Sequence, residues 1–154
     1  SLIHDHGDKI HLPVDLAANI EGNRVDIPLD DFPIEAPFWD IGIKSVFHLS
    51  AAIRRAGTII LNGPSGVFEN PDFALGTIEM LNACAESDGY AVMGGGHTAT
   101  LVAQRGLANK MGHVSTGGGA CLDYIAGRPL PAVVSLEQSA VAFGIDITSA
   151  ERKV

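Results

Sequence analysis

The sequence predicts an α/β fold: a parallel sheet with flanking helices, Rossmann-like and three-layered. Three observations predict it. From residue 43 onward, short apolar runs alternate with amphipathic stretches of helical period. The resulting strand–helix–strand–helix–strand–helix order is that of chains whose strands lie parallel under crossover helices. Each run also ends in a glycine-rich turn, at Asn62-Gly63-Pro64, Gly94-Gly95-Gly96 and Gly117-Gly118-Gly119. Parallel sheets bind ligands beyond the carboxyl ends of their strands, and all three turns fall there.

The elements follow in order. Residues 1–8 are polar and read as loop. Residues 9–19 read as an extended segment or strand, with Pro13 limiting its first half. Pro28, Pro33 and Pro37 break up residues 22–40, leaving a loop with one short strand at 25–27. Val46, Phe47, Leu49, Ala52 and Ile53 recur at helical spacing, and Gly57 ends that helix. Residues 58–61 form a strand. Asn70-Pro71-Asp72 starts a helix, with Asn as cap, Pro in the first turn and Asp at the positive end of the dipole. Phe73, Ile78, Leu81 and Ala85 line one face of it, and Ser87-Asp88-Gly89 stops it. A strand at 90–93, a helix through Leu101, Val102 and Arg105, a short run at 113–115 and a helix through Leu122 and Ile125 complete the alternation. Ser135 and Gln138 fit a capping box for a last helix that Gly144 closes.

The 154 residues suffice for one domain. Hydrophobic residues make up 46% and charged residues 18%, so a core can form. Ten Lys and Arg against 18 Asp and Glu give a net charge of −8, which argues against nucleic acid as a partner. A nucleotide site is not excluded, because helix N-termini bind phosphate without basic side chains. Cys84 and Cys121 lie far apart in sequence and read as small core residues, which fits a reducing cytoplasm. No apolar run reaches the roughly 18 residues of a membrane span, and the polar, His-rich start does not read as a signal peptide. The chain begins at Ser1, which fits a processed or cut piece. His4, Asp5, His6, Asp8 and His11 have the residue types of a metal site but no closed zinc spacing, and read as solvated loop. Phe38 and Trp39 read as loop packing.

A glycine turn between strand and helix lets the backbone approach a ligand and aims helix N–H groups at an anion. Each glycine costs roughly 1 kcal/mol relative to alanine in a helical position. Stability alone does not account for two consecutive triplets.

The residues of these turns are specific. Residues 61–69, Leu-Asn-Gly-Pro-Ser-Gly-Val-Phe-Glu, resemble the N-G-P-x-G-V-F-E segment of phosphoglycerate kinases. Residues 94–99, Gly-Gly-Gly-His-Thr-Ala, resemble that family's G-G-G-D-T-A turn, and residues 113–120 its H-V-S-T-G-G-G-A. Leu12-Pro13-Val14-Asp15 and Asp40-Ile41-Gly42 resemble smaller landmarks upstream. The matches run in family order from about Leu12 to Leu136. The resemblance implies a kinase that moves a phosphoryl group between 1,3-bisphosphoglycerate and ADP, with Mg²⁺. It implies that residues 1–154 are the C-terminal segment of the nucleotide-binding domain, a partial lobe without the N-terminal substrate domain. By the same resemblance, Asn62 contacts the nucleotide phosphates, Val67 packs on adenine and Glu69 accepts hydrogen bonds from the ribose. Gly95, Gly96 and Thr98 line the phosphate path. Gly117, Gly118 and Gly119 present N–H groups to the phosphoryl group in flight. His97 departs from the family's metal-holding Asp; it either donates to a phosphate or merely caps the helix start, and no residue is assigned as a metal ligand.

The resemblance also implies what this stretch lacks. The basic lobe that grips phosphoglycerate has no counterpart here, and neither Lys44 nor Lys110 matches the nucleotide-binding lysine. Phosphoglycerate is therefore expected only through that lobe. A truncated parallel sheet leaves an open edge, so contact with a second copy or a complementary chain is expected. Two rivals remain at this stage. A dinucleotide-binding oxidoreductase segment would carry G-x-G-x-x-G and an acid about 20 residues on, a spacing that residues 94–99 lack. A non-catalytic nucleotide-binding or assembly module fits the turns equally well.

Overall fold

Two three-stranded sheets organise the chain, whose computed structural model describes residues 2–145. The first is antiparallel, with β1 (Asp15–Ile20) between β2 (Asn23–Pro28) and β3 (Phe38–Ile41). The second is parallel, in the order β4 (Thr58–Asn62), β5 (Tyr90–Gly94), β6 (His113–Ser115). It alternates with α3 (Leu75–Glu86), α4 (Gly96–Gln104) and α5 (Gly118–Ile125), as the periodicity predicts. An α2 helix (Ile43–Arg54) joins the two sheets and packs on α3.

The antiparallel sheet is the main addition to the sequence reading. Glu21 and Gly22 both have positive φ, 50° and 86°, and close a two-residue hairpin between β1 and β2. Positive φ at both central residues matches the right-handed twist of the strands. The Asn19 Oδ1 atom supports the turn by accepting from Gly22 N at 2.9 Å. β3 pairs with the other side of β1. Ala17 faces Asp40 and Ala18 faces Phe38, so Trp39 is the extra residue of a bulge. Phe38 and Trp39 thus lie on a strand, not in a loop. Their role is packing: Phe38 stacks on Phe32 at 5.0 Å, and Trp39 meets Phe73 edge-on at 5.1 Å.

Local chemistry sets the helix ends. α2 has Gly42 at its cap, which offers no side chain. The Asp15 carboxylate reaches over from β1 instead and accepts from Lys44 N at 3.0 Å and Ser45 N at 2.8 Å. A Cβ on Gly42 would run into that carboxylate. Burial alone would push the Asp15 carboxyl up. The hydrogen bonds from the Ser45 hydroxyl and the Ser45 and Lys44 amides, with the Lys44 charge, outweigh it and hold the pKa below the ordinary 3.8. Asn70 caps as predicted, accepting from Asp72 N at 3.1 Å, but the turn it opens is a 3-10 turn, Pro71–Phe73, one residue ahead of α3.

Two predicted ends are corrected. The last helix, α6 (Pro131–Ala142), starts with Pro131 in its first turn, four residues before Ser135. Ser135 is therefore interior, its hydroxyl donating to Pro131 O at 2.9 Å, and there is no capping box. Gly144, with φ of 71°, does close the helix. The polar start is not loop but a single-turn helix, α1 (Leu2–His6), followed by a 3-10 turn, Gly7–Lys9, and neither buries a side chain.

The core of the α/β part is Ile59, Leu81, Cys84, Ala91, Met93, Leu101 and Val102. Burial pushes the Cys84 thiol up to about 11, as befits a packing residue. The strands bury one face in this core. Ile59, Ala91 and Met93 point into the core, while Ile60 and Tyr90 remain 44% and 56% exposed.

Two consequences can be measured. Because the folded Asp15 carboxyl ionises below 3.8, its contribution is complete above that pH and is lost as pH falls through the folded value. The stability gap between the wild type and Asp15→Asn should stay constant from about pH 5 to 7 and close in more acidic urea titrations. Gly76→Ala should cost about 2 kcal/mol in the same assay. Its Cβ would sit 2.6 Å from Ser65 Oγ and against Asp40 Oδ1, an overpacking of typical cost.

Candidate functional site

Strand register brings the three glycine-rich turns to one edge. Asn62 pairs with Gly94, and Gly94 with Ser115, so β4, β5 and β6 end at one level. Cross-links continue past the strands: Gly63 N donates to Gly94 O at 3.4 Å, and Gly95 N to Ser115 O at 3.0 Å. α4 leaves this edge immediately, its first i→i−4 bond running from Ala99 N to Gly95 O. α5 does the same from Cys121 N to Gly117 O. The amides of Gly96, His97 and Thr98, and those of Gly118, Gly119 and Ala120, therefore precede the helical ladders. They form the positive ends of two helix dipoles side by side.

The Asn62 side chain sits where the turns meet. A Cβ on Gly94 would lie 2.8 Å from its Oδ1. A Cβ on Gly118 would lie 3.2 Å from the same atom and 3.3 Å from Gly95 Cα. A side chain at Gly94 would displace the Asn62 carboxamide, and one at Gly118 would crowd it and Gly95. Gly95 adds a backbone reason, with φ of 101°. Gly117, the cap of α5, is held by its N–H donating to Ser115 Oγ at 3.1 Å.

The loop from β4 to α3 is fixed from behind. Ser65 N donates to Thr77 Oγ1 at 3.0 Å, and the Ser65 hydroxyl to Asp40 Oδ1 at 3.1 Å. Val67 N donates to Trp39 O at 2.7 Å. The Val67 side chain is 39% exposed and lines a shallow concavity with Pro64 and Trp39. Glu69 is exposed. Phe68, between them, packs on the core and meets the His97 ring at 5.8 Å between centroids.

Of the residues singled out from sequence, Asn62, Gly95, Gly96, His97, Gly117, Gly118 and Gly119 share one edge. Val67 and Glu69 flank Phe68, whose ring meets that of His97 on this edge. Thr98 is 1% exposed, so its side chain lies beneath the surface, and its hydroxyl has no hydrogen-bond partner. The residues that sequence reasoning missed are Asp40, Arg24 and Ser65, which anchor the loop. Their signal was the isolated Asp before Ile41-Gly42, noted as a landmark without a mechanism.

The donor set does not fit a resident Mg²⁺. Residues 62–66, 94–98 and 115–119 contain no carboxylate, and Mg²⁺ prefers hard oxygen ligands in octahedral array. Among the described residues no three His, Cys, Asp or Glu converge as a metal site, the N-terminal His and Asp residues included.

A family profile for phosphoglycerate kinase matches residues 2–128. The phosphoglycerate kinase of Methanothermus fervidus is 45% identical over 134 residues, 87% of this chain and 32% of that one. That of Methanococcus maripaludis is 45% identical over 139 residues, 90% of this chain and 34% of the relative. The crystal structure of phosphoglycerate kinase from Pyrococcus horikoshii OT3 superposes with a TM-score of 0.76 at 35% identity, covering 88% of this chain and 34% of its own. The chain thus spans about a third of the length of the relatives it matches. The profile match contains all three turns and the loop between β4 and α3, and on these grounds the chain belongs to the phosphoglycerate kinase family.

Proposed function

We propose that this chain forms part of the nucleotide-binding half of a phosphoglycerate kinase, and that its glycine-rich edge holds the phosphates of ADP or ATP. The observation that carries this reading is the convergence of the three turns around Asn62, with two helix N-termini opening beside it. In the reaction, the acyl-phosphate P–O bond of 1,3-bisphosphoglycerate breaks and a terminal oxygen of ADP forms the new P–O bond, leaving 3-phosphoglycerate and ATP. Phosphoryl transfer asks a protein chiefly for positioning and for stabilisation of charge on the equatorial oxygens. The amides of Gly118, Gly119 and Ala120 supply such donors on the α5 side, and those of Gly96, His97 and Thr98 on the α4 side. Asn62, between them, has an amide group that contacts phosphate. The exposed Val67 and Glu69 suit adenine packing and ribose hydroxyls respectively, the carboxylate being an acceptor only.

Mg²⁺ in this reading would be held by phosphate oxygens and water when the phosphoryl group moves, not by side chains of this edge, a usual arrangement for this ion. The ion neutralises phosphate charge when it is bound. Phosphoglycerate is assigned to the part of the relatives that this chain does not span. Two free thiols suit a reducing cytoplasm. Among the described residues no helix is long and apolar enough to cross a membrane.

Amide chemical-shift mapping tests the site. ADP should move the resonances of Gly63, Gly95, Gly96 and Gly117 to Gly119, while NAD at equal concentration moves them less. Shifts confined to other elements would remove the nucleotide reading. Glu69→Ala should weaken ADP by about 1–3 kcal/mol, roughly five- to 150-fold in Kd, and leave pyrophosphate binding unchanged. Equal ADP affinity in the folded variant would count against the ribose assignment. The 154 residues alone should show no turnover in a coupled assay with Mg²⁺, ADP and 1,3-bisphosphoglycerate, because in-line alignment of donor and acceptor supplies much of the rate. Turnover that a Gly118→Val variant abolishes would show that the site for 1,3-bisphosphoglycerate, the phosphoryl donor, also lies within this chain.

A further inference from the structure

Residues 62–66, 94–98 and 115–119 contain one side chain able to carry positive charge, His97, and no Asp or Glu. His97 is the second residue of α4 and is exposed. Its ring leans on Phe68 at 5.8 Å, and Phe68 is packed on the core, so the imidazole is held beside the first turn of the helix. The neighbouring Thr98 is buried with its hydroxyl unpartnered. This part of the edge offers donors: helix amides, the Asn62 amide and an imidazole N–H. It does not offer the hard anionic oxygens that would hold Mg²⁺ against a polyphosphate.

An imidazole donates a ring N–H in either protonation state. A donor competes with a metal ion for the same phosphate oxygens. A carboxylate at this position would do the opposite, repelling free polyphosphate and attracting its metal complex. Resting on the nucleotide reading above, we propose that this edge binds the nucleoside diphosphate in its metal-free form, with His97 donating to a phosphate oxygen. His97 is thereby the residue that sets which ionic form of the nucleotide is taken.

The test is titration of the chain with ADP, followed by amide shifts, once in EDTA and once in excess Mg²⁺. The wild type should bind in EDTA at least as tightly as in Mg²⁺. His97→Asp should weaken ADP in EDTA by about tenfold, the worth of one lost charge-assisted hydrogen bond, and recover on adding Mg²⁺. His97→Gln, which keeps a donor, should stay near the wild type. His97→Asp places an acid in a first helical turn, where the dipole favours it, so a melting curve at or above that of the wild type should accompany the change. Wild-type affinity rising about tenfold or more with Mg²⁺ would overturn the proposal while leaving the nucleotide site standing. So would undiminished binding of free ADP by His97→Asp. No response at the three turns under either condition would overturn the nucleotide reading, and this one with it.

Discussion

The Asp40 carboxylate is withdrawn from water, yet each of its oxygens is occupied. Oδ1 accepts from Ile41 N at 2.9 Å and the Ser65 hydroxyl at 3.1 Å. Oδ2 accepts from Arg24 at 2.9 Å and Gly76 N at 2.8 Å. These partners come from β2, β3, the loop after β4 and the start of α3, so one side chain ties the antiparallel sheet to the α/β part. Arg24 extends the joint by donating to Ile41 O at 2.8 Å and Asp72 O at 3.1 Å. A buried ion pair is weak evidence of net stability, since desolvation offsets the attraction. Removing one partner is costly, because it strands the other charge. The pair therefore acts chiefly on geometry. It fixes where the loop carrying Ser65, Val67 and Glu69 stands relative to the sheet edge, and Gly66 and Gly76 are glycine because a Cβ at either would meet Asp40.

From that joint the geometry of the edge follows. The loop holds the chain that leaves β4, parallel register aligns the ends of β4, β5 and β6, and Asn62 fills the space between the turns. Neither helix N-terminus alone would define a site, because short-range dipoles act within about one turn. Two of them opening beside the same asparagine define a direction as well as a charge. The first sheet contributes no residue to the three turns. Its contribution is mechanical, through Asp15 at the start of α2 and Asp40 at the start of α3.

The α/β alternation was legible in sequence because it rests on periodicity and glycine, both local signals. The meeting of the three turns at one edge was legible for the same reason: each turn follows its own strand, and parallel pairing brings the strand ends level. The hairpin at Glu21-Gly22 was not legible, because Glu is uncommon at positive φ and the prolines around it signalled loop. β3 was hidden between Pro37 and Gly42, and it becomes a strand only by pairing with β1. The cap of α2 was hidden as well. Gly42 gives no cap signal, and the carboxylate that does the capping is 27 residues upstream in another strand. For α6 the competing cue at Pro131 won, since Pro is favoured in the first helical turn and Ser135 is equally content to bond back along the helix. Tertiary partners account for β3 and the cap of α2, and competing local cues for the hairpin and α6.

The chain's charge bears on how such an edge can attract phosphate. Its net charge of −8 disfavours any anion at long range. Salt screens exposed charges over about 8 Å at physiological ionic strength, whereas amides at a helix start act at hydrogen-bond distance. The local term wins because it is oriented and already desolvated on one side. A lysine at the same place would act as a mobile point charge and lose rotamer entropy when it bound. Backbone amides have lost theirs on folding. The cost appears instead as glycine: where the backbone approaches closely and an amide opens the helix, the side chain is given up, as at Gly118 beside Asn62. An acidic chain can therefore carry an anion site provided the recognition is made of backbone, and the density of glycine at the edge is the measure of how much of it is.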